Sequence, residues 1–326
     1  MWLRLRLYLL VGLMLAILYG IIAGIGFLLG ASGITYYIFL FGVAIAIVLI
    51  QYFIGPKTVE WSMKIRYVSE REYPKLHKMV EELAEKAGIP KPKVGISKIQ
   101  IPNAFAFGRT KKDARVCVTE GILKLLKDDE LKAVLGHEIA HIKHKDMAII
   151  TMLSVIPMIC YMLYISFFWG GLYSGNRRDS GAMALIGLLA LVVYFITSLL
   201  VMYGSRIREY YADLGSVELG NKPHHLATAL YKLVYGSAKA DKKAIRECAG
   251  MKAFFVNDPS RAIDEIKDLK EVDVDMSGTI DPDELLIVAE KKIKISRTDR
   301  LVELLSTHPN MLKRIKHLAT LYSKAV

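Results

Sequence analysis

Residues Leu7 to Pro56 contain no Asp, Glu, Lys or Arg. A second charge-free run extends from Met147 to Asn176, and a third from Ala182 to Gly204. A bilayer core takes about 20 apolar residues per helix. The first run is therefore long enough for two helices, and the later runs for one each. Gly30-Ala31-Ser32-Gly33 divides the first run into helices expected near 7–29 and 34–55, and Gly171 to Asp179 joins Met147–Gly170 to Ala182–Gly204. The expectation is four transmembrane helices in two hairpins, 1–56 and 147–204. Helices in the core of a water-soluble protein usually show shorter apolar runs and a polar face. Arg4 and Arg6 ahead of an apolar run would also suit a cleaved signal peptide, but the immediate second run favours a retained hairpin.

Positive residues set the orientation. Arg4 and Arg6 precede the first helix, and Lys57, Lys64 and Arg66 follow the second. Lys143 and Lys145 precede the third, and Arg206 and Arg208 follow the fourth. The 30–33 turn is uncharged, and the other turn sets only Arg177 and Arg178 against Asp179. Both termini and everything between the hairpins are thus expected on the cytoplasmic side of a multi-pass cell-membrane protein. The net charge of +12 fits attraction to anionic headgroups. No basic run interleaved with aromatics accompanies it, so nucleic acid is not an expected partner. Cys117, Cys160 and Cys248 show no paired spacing, which agrees with a reducing compartment.

The polar remainder falls into two pieces, 57–146 and 205–326. Leu76, Met79, Val80 and Leu83 recur at helical spacing, which predicts a helix from Tyr73-Pro74 to Ala87 ended by Gly88. Lys93–Gln100, Asn103–Arg109 and Arg115–Thr119 read as strands. Asp128-Asp129-Glu130 then places negative charge on the first turn of another helix, where the helix dipole favours it.

That helix carries His137-Glu138-Ile139-Ala140-His141. Histidines at i and i+4 share a face and can share a metal ion. Glu138 projects about 100° around the helix from His137, beside such an ion rather than onto it, where a carboxylate can accept a proton from an activated water. Two histidines do not complete a catalytic zinc site, which takes a third protein ligand and an open position. The best candidate is Glu209, just after the fourth apolar run. Asp213, four residues on, could accept a hydrogen bond from a ligating imidazole and fix its tautomer. His144 is the rival third ligand, but three donors from one short helix make poor geometry.

Taken together, these features resemble the HtpX membrane zinc metalloproteases, relatives of the CAAX prenyl proteases. The likeness runs through the N-terminal hairpin, His137–His141, the second hairpin, and Arg208-Glu209-Tyr210 with Ala212-Asp213. It implies an α+β, mostly α, zincin-like protease domain. It also implies one catalytic Zn2+ held by His137, His141 and Glu209, with Glu138 as general base. Asn103-Ala104-Phe105-Ala106-Phe107-Gly108 resembles the family's edge strand, which lines the cleft and pairs with substrate backbone. Ser306-Thr307-His308-Pro309, followed by Arg314, resembles its C-terminal motif, whose histidine lies near the metal. His308 and Asn103 are thereby expected to stabilise the oxyanion, and damaged or misassembled membrane proteins to be the substrates.

One stretch departs from that pattern. Asp273 to Glu284 matches an EF-hand calcium loop: Asp273, Asp275, Ser277, Thr279 and Asp281 at positions 1, 3, 5, 7 and 9, Gly278 at 6 and Glu284 at 12. Ile280 holds the position that ordinarily pairs with a partner loop, and helices are expected on both sides, over Arg261–Leu269 and Asp283–Lys292. A calcium ion in this 260–292 insert would stabilise or gate the protease. EF-hands normally pair and only one loop is present, so binding should be weak. Two other functions compete: a prenyl-protein protease, and a membrane-anchored calcium-responsive scaffold with a structural zinc site. A base beside the metal argues against the scaffold. Four spans argue against the prenyl-protein protease, whose family members carry a larger helical chamber.

Overall fold

The computed structural model describes residues 34–173, 177–240, 255–256, 262–269, 272–291 and 297–324, with positions 13 and 17. The helix expected at 7–29 and Cys248 lie outside the described residues. The chain forms two compact units, Met1–Gly55 with Ala148–Ile207, and Pro56–Met147 with Arg208–Val326.

Among the described residues, the first unit holds most of three helices: α1 (Ile34–Ser62), α5 (Asp146–Tyr173) and α6 (Arg177–Glu218). Two stretches among the described residues are long and apolar enough to cross a membrane, Ile149–Phe168 and one within Gly181–Glu218. On α6 the apolar sequence ends at Gly204, and Arg206 and Arg208 open its polar end. Leu153, Ile156 and Cys160 of α5 are buried against Val193, Tyr194, Leu200 and Val201 of α6. Gly187 lets the two helices approach closely, because a Cβ there would lie 2.6 Å from the Phe168 backbone nitrogen. Leu185, Leu188, Leu189, Val192, Phe195 and Ile196 face outward. A continuous apolar exterior of this kind is costly in water and natural in lipid.

The second unit is built on a four-stranded sheet in the order β1-β2-β4-β3: β1 (Ile65–Tyr67), β2 (Lys93–Ser97), β3 (Ala104–Gly108) and β4 (Ala114–Thr119). The β2–β4 pair is parallel and the other two are antiparallel. Between β1 and β2, helix α2 (Pro74–Ala87) buries Leu76, Val80, Leu83 and Ala87 on one face. It ends at Gly88, whose φ of 65° is the left-handed turn glycine adopts without a Cβ clash. The short α3 (Glu120–Leu125) follows β4 and leads to α4 (Asp128–His144).

The two faces of β3 differ. Ala104 and Ala106 join the main core with Leu135 and Ile139 of α4. Phe105 and Phe107 pack with Val59, Met63, Ile101 and Phe255. The small residues let α4 lie close on the sheet. The remaining helices, α7 (Pro223–Ala238), α8 (Ala262–Leu269), α9 (Pro282–Glu290), α10 (Arg297–Leu304) and α11 (Met311–Ser323), complete this unit. All but α10 contribute to the main core.

Candidate metal centre and active site

Two features bring α4 alongside the polar end of α6. Gly215 has room only for hydrogen, since a Cβ there would sit 2.5 Å from that of Ala140. Ser216 Oγ then donates to the Ala133 carbonyl at 2.6 Å. This approach faces His137 and His141 toward Glu209 and Asp213. The two histidine Nε2 atoms are 3.1 Å apart. Glu209 lies across from both, Oε2 at 3.6 Å from His137 Nε2 and Oε1 at 3.6 Å from His141 Nε2. Donor atoms of His137, His141 and Glu209 all fall within 4.8 Å of one another. His144 is not in this group: its ring lies beside Tyr211, and its carbonyl accepts from Arg208.

Each histidine is backed by a carboxylate on its other nitrogen. Asp213 Oδ1 is 2.9 Å from His137 Nδ1, and Asp146 Oδ2 is 2.7 Å from His141 Nδ1. Such contacts hold the proton on Nδ1 and aim the Nε2 lone pair at the shared position. Each carboxylate in turn meets a buried arginine, Asp213 with Arg314 at 2.6 Å and Asp146 with Arg208. The sequence reading missed Asp146, and it named Arg208 only as a flanking charge and as part of the Arg208-Glu209-Tyr210 motif, without a role at the site. The signal was present, because an acid opening a charge-free run of membrane length needs a partner to hold it there. Lys145, with a left-handed φ of 59°, breaks α4 from α5 just before it.

The charges around the histidines suit a dication. Glu138, Glu209, Asp213 and Asp146 are all buried, against the two guanidiniums of Arg208 and Arg314. With all six ionised these groups carry −2; burial disfavours a charged His137 imidazole, but Asp213 and Glu209 hold it up at about 9, so its proton offsets part of that charge until a dication replaces it. Two neutral imidazoles, a carboxylate and a deficit of two positive charges fit Zn2+. Burial works against the Asp213 carboxylate, but Arg314 and His137 together outweigh it and hold it down at about 2. Glu209 is likewise held well below the usual carboxylate range, with His308 and Arg314 outweighing burial.

Glu138 behaves differently. It is only 4% exposed, and burial pushes its carboxyl above the usual carboxylate range. Its helix packs against β3, with Leu135 and Ile139 beside Ala104 and Ala106 in the core. That strand is an edge of the sheet, bonded on one side to β4.

His308, on the segment entering α11, brings Nδ1 to 3.4 Å from Glu209 Oε1, and its Nε2 is buried without a hydrogen-bond partner among the described residues. Asn103 is fully buried at the head of β3. Its amide oxygen accepts from the Val256 N–H at 2.9 Å, and the Val256 carbonyl accepts from Arg314 at 3.1 Å. Asn103 therefore reaches the metal group through Val256 and Arg314.

The EF-hand-like loop lies between α8 and α9. Asp273, Asp275 and Glu284 bring oxygen atoms within 4.8 Å of one another. Ser277 and Thr279 hydroxyls bond to each other at 2.9 Å, and Asp281 serves as N-cap of α9. Gly278 has a φ of 79°, the left-handed turn expected at position 6. Ile280 is paired within the chain: its N–H donates to Thr228 Oγ1 at 2.9 Å, and that hydroxyl donates to the Ile280 carbonyl at 3.1 Å.

A fold with two histidines and a glutamate converging beneath an edge strand, and a further carboxylate beside them, is that of a metallopeptidase. Residues 70–322 match peptidase family M48, and the chain belongs to that family. Its relatives are HtpX-type membrane proteases. The protease HtpX homolog of Methanothermobacter thermautotrophicus is 54% identical over 233 residues, covering 71% of this chain and 86% of that protein. That of Pyrococcus furiosus is 41% identical over 227 residues, covering 68% and 77%. The crystal structure of S. mikatae Ste24p shares the fold, with a TM-score of 0.53 at 16% identity. The match covers 95% of this chain and 63% of that one.

Proposed function

We propose that this metalloprotease is a zinc endopeptidase that cuts misfolded or damaged membrane proteins at the cytoplasmic face of the cell membrane. His137, His141 and Glu209 would hold the ion. Bound there, zinc supplies Lewis acidity that acidifies a water and polarises the scissile carbonyl. Glu138 takes the proton from the attacking water and hands it to the leaving nitrogen. The raised affinity of its buried carboxyl for a proton suits both halves of that transfer. Ala104, Phe105 and Ala106 form the part of the edge strand β3 along which an extended substrate backbone would pair. His308 stabilises the oxyanion. Asn103, engaged by Val256, positions the head of that strand.

The observation that carries this reading is the convergence of His137, His141 and Glu209, with Glu138 on the same helix, which packs against the edge strand that would present the scissile bond. Both hairpins, 1–56 and 147–204, are read as crossing the bilayer, with 57–146 and 205–326 forming one cytoplasmic domain. Casein cleavage by the detergent-purified protein with zinc tests the chemistry. Wild type should cleave, and Glu138→Gln should retain zinc and be inactive. A Glu138→Gln protein that still cleaves would refute the assignment of the base. A prenylated CAAX peptide cut in preference to casein would move the reading to a prenyl-protein protease.

The convergence of Asp273, Asp275 and Glu284 supports a second role, calcium binding by the insert over 260–292 with stabilisation of the protease. Calorimetry that detects no binding at millimolar calcium would end that part of the reading.

A further inference from the structure

Arg314 is 0% exposed, yet it bears a full charge beneath the metal group. Its guanidinium forks onto Asp213, Nε to Oδ2 at 3.0 Å and a terminal nitrogen to Oδ1 at 2.6 Å. The other terminal nitrogen lies 3.1 Å from Glu209 Oε2 and donates to the Val256 carbonyl at 3.1 Å. One side chain thus touches a proposed zinc ligand, the carboxylate behind another ligand, and the backbone that anchors Asn103.

We propose that Arg314 is the positioning residue of the metal centre, fixing the distance between Glu209 and Asp213. This rests on the reading of His137, His141 and Glu209 as metal ligands. Glu209 and Asp213 stand one helical turn apart on α6, so as like charges they repel. Arg314 bridges them, and a terminal nitrogen also lies 3.4 Å from His137 Nδ1 and Nε2. A planar fork holds two carboxylates in fixed directions, which a lysine ammonium cannot do. Arg208 is not equivalent. It meets Asp146 behind His141 and also donates to the His144 carbonyl at 3.3 Å. The loss of Arg314 would therefore displace Glu209 and His137 together, whereas the loss of Arg208 would loosen His141.

The test uses the full-length protein in detergent, loaded with cobalt(II) in place of zinc because cobalt reports its ligand field by visible absorption. Wild type, Arg314→Lys, Arg314→Met and Lys316→Met are compared. Lys316 lies two residues along α11 and donates instead to the Val288 and Lys291 carbonyls at the end of α9, each at 2.8 Å. Lys316→Met is therefore a control for helix packing. Arg314→Lys should release cobalt about tenfold faster than wild type and Arg314→Met about 100-fold faster, the span typical for residues that orient metal ligands. Both should alter the visible bands, and Lys316→Met should leave bands and release rate at wild-type values. Wild-type spectra and release rates in both Arg314 variants would overturn the proposal. So would faster release that merely tracks lowered melting temperature, with Lys316→Met on the same line. If Arg314→Met does not fold, Arg314→Lys decides by the same criteria. If wild type takes up no cobalt, or if uptake survives His137→Ala, the reading of the ligands falls and the proposal falls with it.

Discussion

The cluster around His137 gathers side chains from three separate stretches of chain, at 137–146, 208–213 and 308–314, whereas the acidic loop takes its donors from residues 273–284 alone. The cluster is sealed in the protein, with His137 at 1% and Asp213 at 0% exposure. The loop is sealed only in part: Asp273 and Glu284 are buried, at 5% and 7%, while Asp275 and Met276 are exposed. Burial makes each cluster charge expensive unless it is answered, so that site carries its own counter-charges and braces. The loop answers its buried carboxylates with its own backbone amides and Tyr231 instead of arginines, and leaves Asp275 to water. The difference teaches where substitutions should be felt: in the cluster any brace matters, and in the loop chiefly the donors themselves.

The strongest break in that comparison comes from Glu138→Gln. Removing a general base lowers turnover about 10²–10⁴-fold. Zinc content by elemental analysis should stay at the wild-type value, because Glu138 lies beside the ion and not on it. Loss of zinc along with activity would make Glu138 a structural member of the cluster.

Asp146→Asn and Asp213→Asn come next. Each removes the charge behind one histidine while keeping its shape, and each should cost about 10–100-fold in zinc affinity or activity. Asp213→Asn also strips Arg314 of its closest carboxylate and should be the more severe. Competition against a chromogenic chelator measures both. Equal, negligible effects would show that the braces do not matter and remove the contrast with the loop.

How much of this was legible in sequence follows from the same contrast. The spacing of His137 with His141, and of Glu209 with Asp213, already placed two donors on each of two helices, because helical period is a local property. The strands over 93–97, 104–108 and 114–119 and the helix from Pro74 were legible for the same reason. Tertiary partnerships were not. That Asp146 serves His141, that Arg314 answers both Glu209 and Asp213, and that Asn103 reaches them through Val256 depend on how distant segments pack. No periodicity encodes such meetings. β1, three residues long, was missed because a strand so short carries no alternation to read. In the acidic loop the sequence shows every ligand position, yet it could not show that Thr228 supplies the missing partner for Ile280.

Calcium should act on stability more than on catalysis. Ligand that binds only the folded state adds about 2.7 kcal/mol at 100 times its Kd. Melting temperature should therefore rise with millimolar calcium and stay flat in Glu284→Gln, which loses a charge from the group formed with Asp273 and Asp275. Casein cleavage at room temperature should change by less than the braces change it. A calcium effect on turnover as large as that of Asp146→Asn would place the loop in the catalytic machinery and erase the distinction between the two regions.

Thr228→Val gives the finest measure. Its hydroxyl satisfies both the N–H and the carbonyl of Ile280, whose side chain is itself 0% exposed. Valine keeps the shape and removes the hydroxyl, leaving two buried backbone groups unpaired at roughly 1–3 kcal/mol. If the loop folds as an independent unit, that cost appears as a lower melting temperature in calcium-free buffer, and the calcium Kd is untouched. If α7 stands in for the absent partner loop, part of the cost moves into binding, and about 1.4 kcal/mol of it weakens the Kd tenfold. The structure favours the second outcome, because Ile280 lies between Thr279 and Asp281 and Tyr231 of the same helix donates to Asp273 at 2.8 Å. Calorimetry on Thr228→Val beside wild type then measures how much of this loop's affinity is set from outside its twelve residues.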